Sequence, residues 1–139
     1  MNRKNWRTGI CMNRKHENWT KIKNKRGLEF WRDDRTGLLW SPPLKDNYTF
    51  DEAVEITQAS FVAELGKFKK RIWGIPTLDE VVMAIENGLL DFIPDLKSFW
   101  TSSVVSSNRQ GAWFFYGSLG LVYDGPRYNA YVVRCVGRS

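Results

Sequence analysis

Apolar residues take on a strand-like spacing from Trp19 onward, which predicts strands in the N-terminal third of the chain. Apolar runs at 28–32 and 38–40 flank the polar connection 33–37, which ends in glycine. Two such runs joined by a short turn that contains glycine are typical of a β-hairpin. Two prolines follow the second run and are expected to end its strand, because proline cannot donate to a sheet ladder.

Two amphipathic helices are predicted next, each beginning at a capping box. Thr49 and Thr77 each stand three residues before a glutamate, and in a capping box the hydroxyl and the carboxylate satisfy the free amides of the first turn. Apolar residues then recur at helical spacing over 50–65 and 78–85. A glycine after each run is expected to end the helix.

The C-terminal third predicts strands joined by long irregular loops. Residues 101–110 are a mainly polar run, and the apolar segments 112–116, 121–123 and 131–136 are separated by glycine-containing turns. Strands, then two helices, then strands again indicate an α+β domain.

The 139-residue chain has a formal net charge of +6 that is unevenly distributed. Residues 1–27 hold nine Lys or Arg and one Glu, whereas the remainder holds 12 basic and 14 acidic residues and is slightly acidic. We therefore predict a basic N-terminal arm over 1–27 and one folded domain over 28–139. No stretch approaches the roughly 18 apolar residues of a membrane span, and no signal peptide is expected in this sequence.

The types of residue in the sequence favour a non-catalytic function over an enzyme. The single histidine, His16, lies in the basic arm, so histidine-based acid–base chemistry is excluded from the folded part. Pairs of carboxylates lie in a turn or at helix starts, where the helix dipole accounts for them. We predict a non-catalytic protein with no cofactor and no metal, while an enzyme of unassigned class stays open. Cys11 and Cys135 are either a disulfide or two unrelated thiols.

The basic arm leaves open a function from another class. Trp6 and Trp19 lie among its Lys and Arg residues, an arrangement that would let rings stack on single-stranded bases while cations follow the phosphates. The alternative function is therefore an intracellular nucleic-acid-associated protein. A solvated or partner-ordered tail is the simpler interpretation, so nucleic acid is treated as an unlikely partner.

An ordered series of motifs resembles a known family. The series is RTGLLW at 35–40, FDEA at 50–53, WGIPT at 73–77, FWTSS at 99–103, AW at 112–113 and VRCV at 133–136. It resembles the C-terminal domain family of the Legionella collagen-like protein, over about residues 28–138. The resemblance implies a C-type-lectin-like fold, with two helices packed on a mixed or antiparallel sheet and long C-terminal loops and hairpins.

The resemblance also implies a function and a location. The segment around 108–117 looks most like the tips of trimeric fibres from predatory bacteria, which implies a homotrimeric adhesin with residues 1–27 as the remnant of a stalk. Such a module would be extracellular or at the cell surface as part of a longer exported chain, and it would bind a glycan or protein on another cell. The chain departs from many relatives at Thr57, where they carry a cysteine that pairs with the cysteine of the last strand.

Two activities of related folds are not expected. Formylglycine-generating enzymes use a pair of C-terminal cysteines, whereas only Cys135 is found in that region. Calcium-dependent lectins use Glu-Pro-Asn and Trp-Asn-Asp elements, and neither occurs in the sequence.

The candidate ligand-binding residues are polar and aromatic side chains of the predicted C-terminal loops and hairpins. They are Ser107, Arg109, Gln110, Tyr116, Tyr123, Asp124, Arg127, Tyr128 and Asn129. Tyr, Asn, Ser and Arg on rigidly framed loops are typical of a recognition surface, because tyrosine offers a large contact area at little entropic cost. An ordinary wet loop region is the other interpretation.

The tryptophans Trp40, Trp73, Trp100 and Trp113 are predicted instead to lie in the core.

Overall fold

A computed structural model describes residues 18–24, 27–59, 71–93 and 96–138. The described elements are β1 (Trp19–Lys23), β2 (Glu29–Asp33), β3 (Leu39–Trp40), β4 (Asn47–Tyr48), α1 (Phe50–Ala59), β5 (Ile72–Gly74), α2 (Leu78–Glu86), α3 (Leu89–Phe92), β6 (Phe99–Val105), β7 (Asn108–Tyr116), β8 (Leu121–Pro126), β9 (Tyr131–Val132) and β10 (Val136–Arg138). Helices and sheets occur together, which confirms the predicted α+β class.

The strands form two five-stranded sheets, where the sequence analysis expected one. The first sheet has the order β1-β2-β3-β10-β5 and the second has the order β4-β9-β6-β7-β8. The contact of β6 with β9 is parallel, and the other described pairs are antiparallel. The predicted hairpin over 28–40 is confirmed, since β2 pairs with β3 through Trp31 opposite Trp40.

The first sheet begins inside the segment that was assigned to the basic arm. Trp19 pairs with Asp33 across β1 and β2 and is only 4% exposed. Its indole nitrogen donates a hydrogen bond of 2.7 Å to the carbonyl of Asn87, and its ring stacks on Phe92. Residues 18–24 are thus part of the fold, and a buried Trp19 is not available to stack on bases. Residues 1–17 lie outside the described residues.

The polar run 101–110 forms a long hairpin and not the predicted irregular loop. Strands β6 and β7 pair from Phe99 opposite Phe115 to Val105 opposite Asn108. Beyond Thr101 the β6 side chains are exposed or half-buried, so the sequence carries no apolar period although the backbone still pairs. The prediction of an irregular loop was wrong because backbone hydrogen bonds hold this part of the hairpin, and without burial no apolar pattern marks its strands.

The segment 131–136 was predicted as one strand, but it crosses between the two sheets. Strand β9 belongs to the second sheet and β10 to the first. Between them, the amide of Ser41 donates to the carbonyl of Cys135 (2.9 Å), and the amide of Leu44 donates to the carbonyl of Val133 (2.8 Å). The crossover therefore lies against the segment that follows β3.

Adjacent residues of the same strands pack into two separate hydrophobic clusters. The first contains Phe30, Leu39, Trp100 and Phe114 with Phe50 and Ala53 of α1. The second contains Trp31, Trp40, Phe99 and Phe115 with Val81 and Ala84 of α2 and Leu89 of α3. Because neighbouring strand residues point to opposite faces, α1 covers one face of the strands and α2 with α3 covers the other.

The core prediction holds for most of the tryptophans. Trp40 and Trp100 are fully buried and Trp73 is 8% exposed, whereas Trp113 is only half-buried. The single half-buried ring lies on β7, at a position opposite Asp124 of the edge strand β8.

Both predicted capping boxes are confirmed. The amide of Glu52 donates to Thr49 Oγ1 at the start of α1, and the amide of Glu80 donates to Thr77 Oγ1 at the start of α2. Gly88, with a φ of 100°, follows the end of α2 as predicted, and the short helix α3 after it was not foreseen. The predicted end of the first helix at residue 65 lies outside the described residues.

An ion pair joins the start of α2 to the last strand. Arg138 donates from Nε to Glu80 Oε2 (2.8 Å) and from Nη2 to Glu80 Oε1 (2.7 Å). Partial burial acts to raise the pKa of Glu80, but the hydrogen bonds from Arg138 and from the Thr77 amide outweigh it, so that the pKa lies below its ordinary value of 4.5. The ionised carboxylate therefore stabilises the fold.

We expect Glu80→Gln to lower the free energy of unfolding by about 1–2 kcal/mol at neutral pH, because the charge-assisted bonds to Arg138 are lost. Because the pKa of Glu80 is lower in the folded chain than in the unfolded chain, the ionised carboxylate stabilises the fold above pH 4.5. This contribution is lost as the pH falls through the pKa of the folded state. Urea unfolding at pH 7 and pH 3 should show a larger difference between Glu80→Gln and the unmodified chain at pH 7 than at pH 3. Glu86→Gln, at an exposed position of the same helix, is the control; an equal loss there would contradict the assignment.

Candidate functional site

The predicted ligand-binding residues lie mostly on strands. Arg109, Gln110 and Tyr116 belong to β7, and Tyr123 and Asp124 belong to β8. Ser107 is exposed in the turn between β6 and β7, and the segment 127–129 forms the turn after β8. We expected the candidates on C-terminal loops and hairpins; those on β7 and β8 lie on paired hairpin strands, and the others lie in turns. The side chain of Arg109 lies outside what the structure describes.

The register of β7 and β8 divides the candidates between two faces. Phe114 lies opposite Tyr123, and Trp113 lies opposite Asp124. Cross-strand partners share a face and successive residues alternate. Tyr123 therefore lies on the α1 side together with Tyr116, whereas Asp124 lies on the α2 side. These two neighbours in sequence do not contribute to one site.

Two half-exposed tyrosines share the α1 side of the second sheet. The rings of Tyr116 and Tyr123 meet edge to face with their centres 5.7 Å apart, and each residue is 39% exposed. Leu121, opposite Tyr116 in the register, is 54% exposed beside them. We call these three residues, Tyr116, Leu121 and Tyr123, the tyrosine face.

The tyrosine face rests on buried rings. Phe114 is 7% exposed, lies 6.0 Å from Tyr116 and stacks on Tyr131 at 4.4 Å. Trp100 contacts both Phe114 (6.0 Å) and Tyr131 (4.9 Å). Contact with fixed neighbours limits the orientations that the exposed rings can take. The face is therefore largely organised before any ligand arrives.

A second group of candidates lines an open cavity of about 470 Å³ at the start of α1. Its lining residues are Thr49, Asp51, Gln110, Arg127 and Tyr128. The Arg127 guanidinium forms an ion pair with Asp51 and lies 4.8 Å above the ring of Phe50. Tyr128 is 78% exposed at its edge. We call this space the Arg127 cavity.

The backbone holds the Arg127 cavity in place. The amide of Arg127 donates to the carbonyl of Gln110 (2.9 Å), and its carbonyl accepts from the amide of Phe50 (3.1 Å). The turn is thus fixed both to β7 and to the first residue of α1. An open, polar cavity with one paired cation and one exposed ring is suited to binding polar groups.

The Arg127 cavity and the tyrosine face share one aromatic base. Phe50, beneath Arg127, meets Trp100 edge to face at 5.5 Å, and Trp100 meets Phe114, which lies beneath Tyr116. The contacts thus run without a break from Arg127 to Tyr123. Of the nine candidates, Gln110, Tyr116, Tyr123, Arg127 and Tyr128 lie on this surface.

Asn129 has a structural position beside this surface. Its side-chain amide donates to the hydroxyl of Tyr131 (3.4 Å), and its backbone amide donates to the carbonyl of Pro126 (3.2 Å). These bonds close the turn after β8. Asn129 therefore stabilises the turn that carries Arg127 and Tyr128.

Sequence reasoning missed three contributors to the site. Thr49 and Asp51 were assigned only to the start of a helix, and Tyr131 only to a strand. Asp51 and its partner Arg127 are 76 positions apart, so no local pattern could have joined them. For Tyr131, the density of aromatic residues after position 99 was the one available signal.

The second cysteine, Cys135, is fully buried and has no disulfide partner among the described residues. Burial raises the pKa of the Cys135 thiol to about 12, so it is protonated and unreactive at neutral pH. Its possible disulfide partner, Cys11, lies outside the described residues. Thr57 is buried and donates its hydroxyl to the carbonyl of Ala53 (3.0 Å).

Two further features concern the part of the chain that the structure describes. No cluster of three or more His, Cys, Asp or Glu side chains is placed there to hold a metal ion. Within the same residues, every helix is too short or too polar to span a membrane.

The tyrosine face and the Arg127 cavity are the features of this surface that bear on function. Against protein-family models, curated proteins and solved structures, the chain finds no match. A function must therefore follow from the exposed rings, the cavity and the charges themselves.

Proposed function

We propose that this chain carries a non-catalytic recognition domain that binds a glycan or a protein on the surface of another cell. The observation that carries the proposal is the pair of exposed tyrosine rings held over a buried aromatic base, directly beside the Arg127 cavity. The site would comprise Gln110, Tyr116, Tyr123, Arg127 and Tyr128.

The chemistry of this surface suits both kinds of ligand. Tyrosine rings offer broad apolar faces to the C–H groups of a sugar ring or to apolar side chains, and their hydroxyls donate or accept hydrogen bonds. Rings that are already held by neighbours lose little entropy on binding. The Arg127–Asp51 pair at the edge of the cavity adds a donor and an acceptor for hydroxyl groups.

We further propose a C-type-lectin-like fold of the fibre-tip type. Its support is that the motifs of the resemblance fall on or beside regular elements, from the β2–β3 hairpin through the starts of α1 and α2 to β10. In a homotrimer exposed at a cell surface, three weak sites acting together would raise the overall affinity. Light scattering at high concentration tests the trimer, which a clean monomer would contradict.

The binding surface is tested by two exposed residues on opposite faces. We expect Tyr128→Ala to weaken binding about tenfold, because it removes the exposed ring at the edge of the Arg127 cavity. Asp124→Ala, on the α2 side, should leave binding unchanged. The variants are compared with the unmodified chain in a screen against glycans and intact cell surfaces.

The two variants together decide which face is used. Loss of binding in Asp124→Ala with full binding in Tyr128→Ala would move the site to the other face. Absence of saturable binding by the unmodified chain across the screen would contradict the recognition function itself.

A further inference from the structure

Arg134 is a buried cation that has no counter-charge among the described residues. It lies in the crossover between β9 and β10 and is 3% exposed. Within the described residues, its Nη1 donates to the carbonyl of Ser41 (2.8 Å), its Nε has no partner and it forms no ion pair. Its guanidinium lies 5.6 Å from the centre of the Trp31 ring. Burying a charge in this way is costly unless something compensates it.

The guanidinium lines a cavity of about 500 Å³ that is rich in positive charge. Lys45, Lys97 and Asn47, all exposed, line it together with Trp31 and Arg134. Among its described lining residues three are cations and none is acidic. The indole nitrogen of Trp31 is buried and, like Nε of Arg134, has no hydrogen-bond partner in the part of the chain that the structure describes.

The wall of the cavity is held in place by the backbone. The segment 41–44 is bonded to the crossover on both sides of Arg134, through the Ser41–Cys135 and Leu44–Val133 hydrogen bonds. A second bond runs from the amide of Cys135 to Ser41 Oγ (2.9 Å). Arg134 is therefore fixed in a position that does not depend on an acidic partner.

We propose that this cavity binds an oxyanion, the carboxylate, phosphate or sulfate group of a ligand. The three cations supply the charge, and the guanidinium, the lysine ammonium groups and the Asn47 amide are donors that match the oxygens of such a group. Trp31 and Val132 of its lining belong to the cluster on the α2 side, and the cavity shares no lining residue with the tyrosine face or the Arg127 cavity. The site is thus independent of the proposed recognition surface.

Binding at this site should stabilise the fold. Burial lowers the pKa of Arg134 to about 10, because buried surroundings disfavour the charged form of the guanidinium. An anion beside the guanidinium would favour the charged form and raise that pKa again. A ligand that binds only the folded chain raises the melting temperature as its concentration increases.

The experiment titrates inorganic phosphate, sulfate and acetate separately into the full chain at constant ionic strength, with the melting temperature as the readout. We expect a saturable rise with at least one anion, and the anion that binds best identifies the group. The double variant Lys45→Ala/Lys97→Ala should weaken this binding at least about tenfold. Lys21→Ala/Lys23→Ala, which removes the same charge from β1, should bind like the unmodified chain.

Arg134→Lys distinguishes the contribution of the planar guanidinium to anion binding from that of positive charge alone. It keeps the charge but loses the fork of donors, and we expect it to weaken anion binding about tenfold. If this variant does not fold, the double variant Lys45→Ala/Lys97→Ala tests the proposal. A melting temperature that does not respond saturably to any of the three anions, or an equal response of both double-lysine variants, would overturn the proposal.

Discussion

Replacing Trp100 with alanine is expected to lower the free energy of unfolding by about 3–5 kcal/mol, the range for a large buried aromatic residue. Trp100 is fully buried and touches Phe50 (5.5 Å), Phe114 (6.0 Å) and Tyr131 (4.9 Å). Its indole nitrogen donates to the carbonyl of Tyr48 (2.8 Å). Alanine would leave a cavity at the centre of the base that joins α1 to the second sheet, and an acceptor without its donor.

Chemical denaturation of the alanine variant and two comparison variants measures this effect. Trp100→Phe keeps most of the ring contacts and loses the hydrogen bond, so a loss of about 1–2 kcal/mol is expected. Trp113→Ala, at a half-buried position, should cost clearly less than Trp100→Ala. Equal losses at positions 100 and 113 would contradict the packing described for the first cluster.

The local features of this fold were predictable from the sequence because short-range chemistry determines them. Thr49 and Thr77 begin helices since their hydroxyls and the glutamates three residues later satisfy the first-turn amides. Gly88 follows the end of α2 because its left-handed conformation suits glycine. The β2–β3 hairpin likewise follows from its turn and its two apolar runs.

Long-range features were not predictable from the sequence in the same way. The single apolar run 131–136 does not reveal that its two ends belong to different sheets, because it is apolar throughout and Val132 and Val136 pack into the same second cluster. Residues 101–110 lack an apolar period since much of that hairpin is exposed. The separation of Tyr123 from Asp124 depends on the register of β7 and β8.

Removing both rings of the tyrosine face is expected to weaken ligand binding at least about 30-fold, the effect of losing a central aromatic hot spot of about 2 kcal/mol. Tyr116→Ser/Tyr123→Ser deletes two rings that touch each other and that are each 39% exposed. The rings beneath them, the buried Phe114 and the half-buried Tyr131, remain. The free energy of unfolding should therefore change much less than it does in Trp100→Ala.

A matched control removes apolar side chains from the other side of the domain. Val82 and Met83 are 39% and 47% exposed on α2, and neither contributes to the two buried clusters. Val82→Ala/Met83→Ala should bind as the unmodified chain does. Circular dichroism and thermal melting of both double variants establish that each is folded before binding is compared.

The most direct measurement is the dissociation constant of the unmodified chain, Tyr116→Ser/Tyr123→Ser and Val82→Ala/Met83→Ala for the glycan or cell surface that binds best in the screen. Recognition through the tyrosine face predicts at least about a 30-fold increase for the tyrosine variant and none for the control. Unchanged binding by a folded tyrosine variant, or an equal loss in both variants, would contradict it.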